Sequence, residues 1–334
     1  IVFGDWSSDV CSSDLPKKTF SAALEVEYFS FFQYYFKNTG GGMDATIIDG
    51  KLIAQEIRAE LAPRIKTLAS GNAVPGLAVI LVGEDPASVS YVTAKEKACS
   101  DIGVRSFEHR LPETTSTAEL VALIRSINTD ARVHGILVQL PLPRHIDEFS
   151  VIEAISPEKD VDGFTSVNLG KMLLSQDCFL PCTPHGIIKL IQHTGVRTSG
   201  AHAVIVGRSN IVGKPLANLM IRKEINATVS VCHTGTENLA DFTRRADILV
   251  ACAGKPELIS GDMIKKGACV IDVGVNRIDA PNTKKGWKLA GDVNYEEALS
   301  VAGSITPVPG GVGPMTITML LFNTVQSAEK AHGK

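Results

Sequence analysis

Short apolar runs rich in Val, Ile and Leu, each closed by glycine, proline or a polar residue, recur along most of the chain. Runs of this kind without polar alternation suit strands buried on both faces of a parallel sheet. Gly76-Leu-Ala-Val-Ile-Leu-Val-Gly83 and Val133-His-Gly-Ile-Leu-Val138 are two examples. His202-Ala-Val-Ile-Val206, Thr228–Cys232, Ala246–Ala251 and Ala268–Val273 follow in the second half, separated by helix-sized polar segments such as Glu237–Arg245 and Gly261–Lys266. The alternation predicts an α/β fold with a doubly wound parallel sheet, which takes its ligand at the carboxyl ends of the strands. Those ends carry Cys232-His233-Thr234, Ala253-Gly254-Lys255 and Gly274-Val275-Asn276.

Two glycine- and proline-rich stretches punctuate this pattern. Gly207-Arg-Ser-Asn-Ile-Val-Gly213-Lys-Pro215 follows the 202–206 run and precedes the helix-like Leu216–Met220. Strand, glycine turn and helix together present free N–H groups and a positive dipole end to a phosphate. Ser209 stands where the common G-x-G-x-x-G pattern has its second glycine, so the spacing alone is a partial match. No carboxylate follows the second strand before Glu237, whereas NAD sites usually place an acid there for the ribose diol. Arg208 could meet a 2′-phosphate and Thr234 could donate a hydrogen bond to it, which favours NADP and leaves NAD open. The plainer alternative is that Arg208 only answers a local carboxylate or helix end. The other stretch, Val308-Pro-Gly-Gly-Val-Gly-Pro-Met-Thr316, cannot continue a helix or a central strand, yet leads into a helix-like tail over Thr316–Ala328. Backbone stripped of side chains here suits close approach to a flat ligand, or simply a surface turn.

The first half offers a second constellation. Glu84-Asp-Pro-Ala-Ser88 can cap a helix whose face carries Tyr91 and Lys95, four residues apart. A lysine near a helix N-terminus faces the positive dipole end, which lowers its pKa and suits proton transfer; the alternative is a solvated lysine beside a core tyrosine. Gln139 ends the 133–138 strand before Leu140-Pro-Leu-Pro143 and needs a partner. Asp162, before Gly163, is either a turn residue or a carboxylate able to accept paired N–H donors from an aminopyrimidine-like ring.

Taken in order, Tyr91-Val-Thr-Ala-Lys95-Glu-Lys-Ala, Gly135-Ile-Leu-Val-Gln139-Leu-Pro-Leu-Pro143, Pro157-Glu-Lys-Asp-Val-Asp162-Gly163, Pro181-Cys-Thr-Pro184, the 207–215 turn and Pro309–Thr316 carry a family likeness. From about Met43 to about Ala331 the chain resembles the bifunctional methylenetetrahydrofolate dehydrogenase/methenyltetrahydrofolate cyclohydrolase enzymes of one-carbon metabolism, which serves purine biosynthesis. The resemblance implies a folate-binding catalytic α/β domain over residues 43–181 plus 305–331. It implies a Rossmann-like NAD(P)-binding domain over 182–304, with a cleft between the two, in a cytoplasmic homodimer. By the same resemblance Lys95 is the central catalytic group, Gln139 its hydrogen-bond partner, Tyr91 a stacking surface for the folate and Asp162 the pterin-binding carboxylate. Pro309, Gly310 and Gly311 would line the folate pocket; Gly207, Arg208 and Ser209 would bind the cofactor phosphates, with Thr234 and Val275 lining the rest. Family members often have a basic residue after the Cys-His-Ser/Thr element, whereas this chain has Gly235. A two-domain dehydrogenase of the shikimate or amino-acid type should lack the 309–316 motif and Tyr91/Lys95. A non-catalytic binding protein would be expected to have lost Lys95 or Gln139.

Composition narrows the remaining classes. With 334 residues and 44% hydrophobic content the chain can bury two ordinary cores. A net charge of −3 without a basic run argues against a nucleic-acid partner, and no apolar stretch is long enough for a membrane helix. The seven cysteines show no C-x-x-C pair or zinc spacing, so reduced thiols and no metal are expected. Residues 1–42 differ from the rest: they hold six of the twelve phenylalanines, no arginine, and a small repeat, Ser7-Ser-Asp-Val10 and Ser12-Ser-Asp-Leu15. They read as an artefactual or disordered extension with Met43 a natural start; a signal peptide, a presequence or an aromatic partner-binding arm are the alternatives.

Overall fold

The structure, a computed structural model, describes residues 44–281, 283 and 286–333, and the expectation for residues 1–42 lies outside them. Strand β1 (Thr46–Ile47) leads into helix α1 (Gly50–Ser70), which Asp49 caps by accepting from the Lys51 and Leu52 N–H groups. The run from Gly76 becomes β2 (Gly76–Val82), every residue of it buried. Helix α2 (Pro86–Ile102) starts on an Asp85 cap that accepts the Ser88 N–H at 2.8 Å, with proline in the first turn where no N–H is needed. It ends at Gly103, whose φ of 84° is the left-handed conformation that glycine adopts without strain. Strand β3 (Arg105–Leu111), helix α3 (Thr117–Asn128, opened by a Ser116/Glu119 capping box) and β4 (Gly135–Val138) complete the first sheet. Its order is β3-β2-β4, all parallel. The polar, half-exposed pattern of β3 hides it from a search for apolar runs; as an edge strand it has one side and one face free for charge.

Helices α4 (Glu148–Glu153), α5 (Ser166–Leu173) and α6 (Cys182–His193) lead to the second sheet. There β5 (His202–Val206), α7 (Gly213–Met220), β6 (Thr228–Cys232), α8 (Leu239–Thr243), β7 (Ile248–Ala251) and β8 (Cys269–Asp272) match the predicted alternation. The exception is Gly261–Lys266, where only a single 3₁₀ turn forms over Gly261–Met263. The Gly261 N–H is bound by the Glu297 carboxylate at 2.7 Å, and a Cβ on this glycine would lie 2.9 Å from the Glu297 Cβ. A hairpin of β9 (Asn276–Asp279) and β10 (Trp287–Ala290), helix α9 (Tyr295–Leu299), β11 (Ser304–Ile305) and the long helix α10 (Val312–Ala331) follow.

The second sheet has six strands in the order β1-β11-β8-β7-β5-β6, two more than the apolar runs showed. Thr46 and Ile47 pair in parallel with Ser304 and Ile305, which pair in turn with Cys269 and Val270. The amino-terminal strand, expected within the first domain, thus completes the edge of the second sheet. A two-residue strand carries too little pattern to be read from sequence.

One continuous core joins the two sheets rather than the two cores expected. Leu77, Val79 and Leu81 on one face of β2 share a cluster with Ala203, Ile205, Ile248, Val250 and Ile271, through α1, α6 and α10. The alternate residues Ala78, Ile80 and Val82 face α3 and α4 instead, as the two-residue strand period requires. Helix α10 starts at Val312, inside the glycine motif and earlier than the predicted Thr316, because Pro314 falls in the first turn, where it is tolerated. On its buried face Asn323 donates to the carbonyls of Val161 (2.8 Å) and Leu180 (3.0 Å), and Ser327 donates to those of His134 (2.6 Å) and Glu158 (2.9 Å). These bonds attach the carboxyl-terminal helix to the segment that carries Asp162. Replacing Asn323 with leucine removes the Leu180 carbonyl's donor and leaves the Val161 carbonyl only the weaker Cys182 thiol, at about 1–3 kcal/mol for a group left unsatisfied. Urea unfolding of Asn323→Leu should show a loss of about 1–3 kcal/mol with the slope unchanged.

Candidate active site

Helix α2 places Tyr91 and Lys95 one turn apart, with opposite exposures: the Tyr91 ring is 42% accessible and Lys95 only 8%. The Lys95 ammonium donates to Gln139 Oε1 at 2.9 Å. The amide of Gln139 cannot flip freely, because its Nε2 donates to the Leu140 carbonyl at 2.5 Å and its backbone N–H binds the Ile80 carbonyl. Gln139 therefore presents an acceptor to Lys95 from the end of β4, next to the cis Leu140–Pro141 bond.

Asp162 is half-buried, and burial pushes its carboxyl up to about 6, against the opposing pull of the Lys95 charge. Burial in turn lowers Lys95 from the usual lysine range, with Asp162 working the other way. The direction of the Lys95 shift matches the sequence expectation but its cause does not. Lys95 lies in the third turn of α2, beyond the reach of the dipole, which acts within the first turn. Desolvation is the operative cause.

The loop carrying Asp162 is held by a neighbour that pattern reading passed over. Asp160, 1% exposed, accepts from the N–H groups of Gly163 (2.9 Å), Phe164 (3.2 Å) and Thr165 (2.8 Å), from the Thr165 hydroxyl (2.7 Å) and from Asn168 Nδ2 (2.9 Å). An aspartate ahead of a Gly-x-Thr sequence is the available signal, since such side chains gather the N–H groups that follow them. The buried Cys182 thiol donates to the Val161 carbonyl at 3.2 Å, which ties the 181–184 motif to the same loop.

The expected cofactor residues lie at the carboxyl ends of the second sheet. Gly207 has φ +140°, and a Cβ there would stand 2.3 Å from the Cys252 carbonyl; a Cβ on Gly213 would stand 2.1 Å from the Gly207 carbonyl. Both positions exclude any side chain, so the turn folds back tightly on itself. Ser209 fixes it by accepting the Val212 N–H at 3.1 Å. The N-cap residue of α7 supplies no side-chain cap; Ser209 instead takes the Gly213 N–H on its hydroxyl (3.4 Å) and the Lys214 N–H on its carbonyl (3.1 Å), so what the turn offers an anion is the positive end of the helix dipole. Arg208 and Thr234 are exposed beside the turn, and Val275 is 50% exposed after β8. His233 uses Nδ1 to accept the Gly235 N–H at 3.0 Å, a local turn role.

The third group of expected residues forms a tight wall. The Val308–Pro309 bond is cis, Gly310 has φ +121°, and the Gly311 N–H binds the Pro307 carbonyl at 2.9 Å. The start of α1 is pressed against it, since a Cβ on Gly50 would fall 1.8 Å from the Gly311 carbonyl. Thr183 and Thr316 share a hydroxyl–hydroxyl bond of 2.9 Å that joins the 181–184 and 309–316 motifs. Bonding thus links Lys95 with Gln139 and places Asp162 within their electrostatic reach, while Gly207, Arg208 and Ser209 form a separate turn on the second sheet. Among the described residues no group of His, Cys, Asp and Glu could hold a metal ion.

Comparison with known proteins gives two family matches. Residues 48–162 match the tetrahydrofolate dehydrogenase/cyclohydrolase catalytic domain, and residues 181–332 match the NAD(P)-binding domain of the same family. A bifunctional protein FolD from Moorella thermoacetica is 56% identical over 288 residues, 86% of this chain and 100% of the relative. The bifunctional FolD methylenetetrahydrofolate dehydrogenase/cyclohydrolase of Campylobacter jejuni superposes with a TM-score of 0.81 at 47% identity, covering 86% of this chain and 99% of that one. The FolD enzyme of Trypanosoma brucei, solved with NADP and an inhibitor, gives a TM-score of 0.83 at 38% identity, covering 87% of this chain and 99% of that one.

Besides Asp162, one other aspartate among the described residues, Asp272 at the end of β8, has its carboxyl pushed up by burial to about 6. In protein labelled with carboxyl-¹³C aspartate, two resonances should titrate near pH 6. Asp162→Asn should remove one and leave the other in place.

Proposed function

The chain belongs to the tetrahydrofolate dehydrogenase/cyclohydrolase family, and from that membership we propose how its residues divide the two reactions. It oxidises 5,10-methylenetetrahydrofolate to the 5,10-methenyl cation and hydrolyses that cation to 10-formyltetrahydrofolate. NADP⁺ supplies the hydride acceptor. The observation that carries the assignment of roles is the buried Lys95–Gln139 bond of 2.9 Å, set beside an aspartate whose carboxyl is raised to about 6.

Lys95 acts in the hydrolytic step. Water adding to the methenyl carbon must lose both of its protons, the first on addition and the second as the formyl carbonyl forms; opening of the ring places one proton on N5 and the other leaves to solvent. An amine whose pKa burial has lowered can hold and release a proton nearer neutral pH than a solvated lysine. Gln139, its carbonyl oxygen locked toward Lys95, aims the lone pair and N–H bonds of the amine. Asp162 is mostly ionised at pH 7 and accepts from the amino and ring N–H groups of the pterin. Tyr91, half-exposed on the same helix, offers its ring to the folate. The backbone from Pro309 to Gly311, bare of side chains at its two glycines, forms a wall of the folate pocket.

Gly207, Arg208 and Ser209 hold the cofactor phosphates at the start of α7, with Thr234 and Val275 along the remainder. The fit is steric and electrostatic: glycine at 207 and 213 lets the turn close on itself, and the positive dipole end of α7 and the exposed Arg208 lie at it. Arg208 favours NADP⁺, and NAD⁺ is the alternative because Gly235 brings no second charge. The folate-binding unit is assigned to residues 43–181 and 305–331, and the nucleotide-binding unit to 182–304, with Thr46–Ile47 lent to the second sheet.

A homodimer is the proposed assembly. Leu173 (62% exposed), Leu174 (68%) and Ile221 (57%) lie together where Arg222 Nη2 bonds the Met172 carbonyl at 2.6 Å, an apolar patch of the kind that subunits cover. A cytoplasmic location accords with six described cysteines that are all unpaired. No described helix is long and apolar enough to cross a membrane.

Hydrolysis of 5,10-methenyltetrahydrofolate, followed without nucleotide by loss of its chromophore, should fall by at least about 100-fold in Lys95→Gln. Unchanged hydrolysis would remove Lys95 from this role. Light scattering of the wild type should give a dimer mass, and Leu174→Glu should shift it to monomer.

A further inference from the structure

Two buried carboxylates take no part in the chemistry above. Asp272 is 2% exposed and Asp292 fully buried, and neither forms an ion pair among the described residues. A buried carboxylate without a cation persists only where N–H donors surround it, and here the donors make a relay. Asp272 Oδ1 accepts the N–H groups of Gly274 (3.0 Å) and Asp292 (2.9 Å), and its Oδ2 accepts that of Val293 (2.9 Å). Asp292, whose backbone is placed by that contact, turns its own Oδ2 to the N–H groups of Ala253 (2.6 Å) and Gly254 (2.8 Å). Its Oδ1 accepts from Asn276 Nδ2 at 2.9 Å. Glycines make room for both carboxylates: a Cβ on Gly274 would stand 2.3 Å from Asp292 Oδ1, and one on Gly291 would stand 1.8 Å from Asp272 Oδ2.

The three segments so tied have a shared position. Residues 253–254 follow β7, residues 274–276 follow β8, and 291–293 follow β10. The phosphate turn follows β5, and the Thr234 segment follows β6 on one side of it, in a sheet ordered β8-β7-β5-β6 at this point. A dinucleotide laid across strand ends with its pyrophosphate at β5 and its adenosine half toward β6 must extend its other half toward β7 and β8. That is the backbone held by Asp292.

We propose that Asp292 is the positioning residue for the nicotinamide half of the cofactor, acting through the 253–254 backbone and Asn276. The inference rests on the assignment of residues 207–209 to the cofactor phosphates. It separates the two reactions: Asp292 governs the oxidation, which needs the nicotinamide, and leaves the hydrolysis, which needs no nucleotide, untouched. A residue serving general stability would lower both.

The test compares wild type, Asp292→Asn and Asn276→Ala in two assays: NADP⁺ reduction with 5,10-methylenetetrahydrofolate, and hydrolysis of 5,10-methenyltetrahydrofolate without nucleotide. Asparagine at 292 has one acceptor where the carboxylate has two, so either the 253–254 N–H groups or Asn276 Nδ2 faces a donor, and losing a bond to a charged group corresponds to about 10-fold or more. The expected result is a fall of about 10-fold or more in kcat/KM for NADP⁺ in Asp292→Asn. Asn276→Ala should show a smaller fall in the same sense. Hydrolysis should stay at the wild-type rate in both. Equal loss of both activities, or an unchanged KM and kcat for NADP⁺, overturns the proposal. If Asp292→Asn does not fold, Asn276→Ala decides by the same criteria. A wild type that hydrolyses the methenyl substrate but reduces no nucleotide would refute the cofactor assignment itself, before Asp292 is at issue.

Discussion

Burying the amine of Lys95 is the constraint from which the folate half of the molecule is arranged. A lysine at 8% exposure has lost most of its hydration, and a lone ammonium in that setting would simply deprotonate. The surroundings temper that outcome without cancelling it. Gln139 supplies one aimed acceptor, and Asp162 supplies a charge close enough to oppose desolvation. The balance lowers the amine from the usual lysine range and raises the carboxyl to about 6. Each partner needs its own support. Gln139 is anchored to Leu140, Asp162 rides on the loop gathered by Asp160, and that loop is tied to α10 through Asn323. The chain's last long helix thus supports the segment that carries Asp162.

The nucleotide half solves a different problem, close approach of backbone to backbone. Gly207, Gly213, Gly274 and Gly291 all sit where a Cβ would collide with a carbonyl or a carboxylate. Two of those collisions would be with Asp272 and Asp292, so glycine placement and carboxylate burial are one design. Negative charge inside the sheet end, satisfied by amides, stiffens three strand-end loops at once. Stiff loops are what hydride transfer requires, because reaction geometry tolerates little drift.

The two halves are not independent modules. The odd-numbered residues of β2 and the inner face of the second sheet share one core through α1, α6 and α10, and β1 crosses to the far edge of the second sheet. The same three helices therefore support both the lysine centre and the nucleotide turn. Any relative motion of the halves has to work against that packing.

Local sequence determined most of what recurs at short range. Apolar runs closed by glycine, proline or a polar residue specified β2, β4, β5, β7 and β8, because a strand buried on both faces needs no information beyond its own residues; Thr228–Cys232 was legible as β6 by its β-branched residues, although at the sheet edge it is partly exposed. The Gly207–Pro215 turn, the 309–316 wall, and the trio Lys95, Gln139 and Asp162 were legible as motifs, since reactive side chains and obligatory glycines keep fixed spacing. What escaped was set by distant partners. The edge strand β3 is polar because only one side of it is paired; β1 is too short to carry a pattern and exists by virtue of Ser304–Ile305. Gly261–Lys266 has helical composition but is held by Glu297. The depressed pKa of Lys95 reads as a dipole effect in one dimension and proves to be burial in three. Asp160, Asn323, Asp272 and Asp292 bind backbone amides and carbonyls, groups that every residue possesses, so nothing in the sequence marks their partners. Spacing along the chain could single out Lys95, Gln139 and Asp162 as candidates, but only the folded structure decides how deeply they are buried and what holds them there, because desolvation and backbone hydrogen bonding depend on neighbours that the chain brings together from far apart.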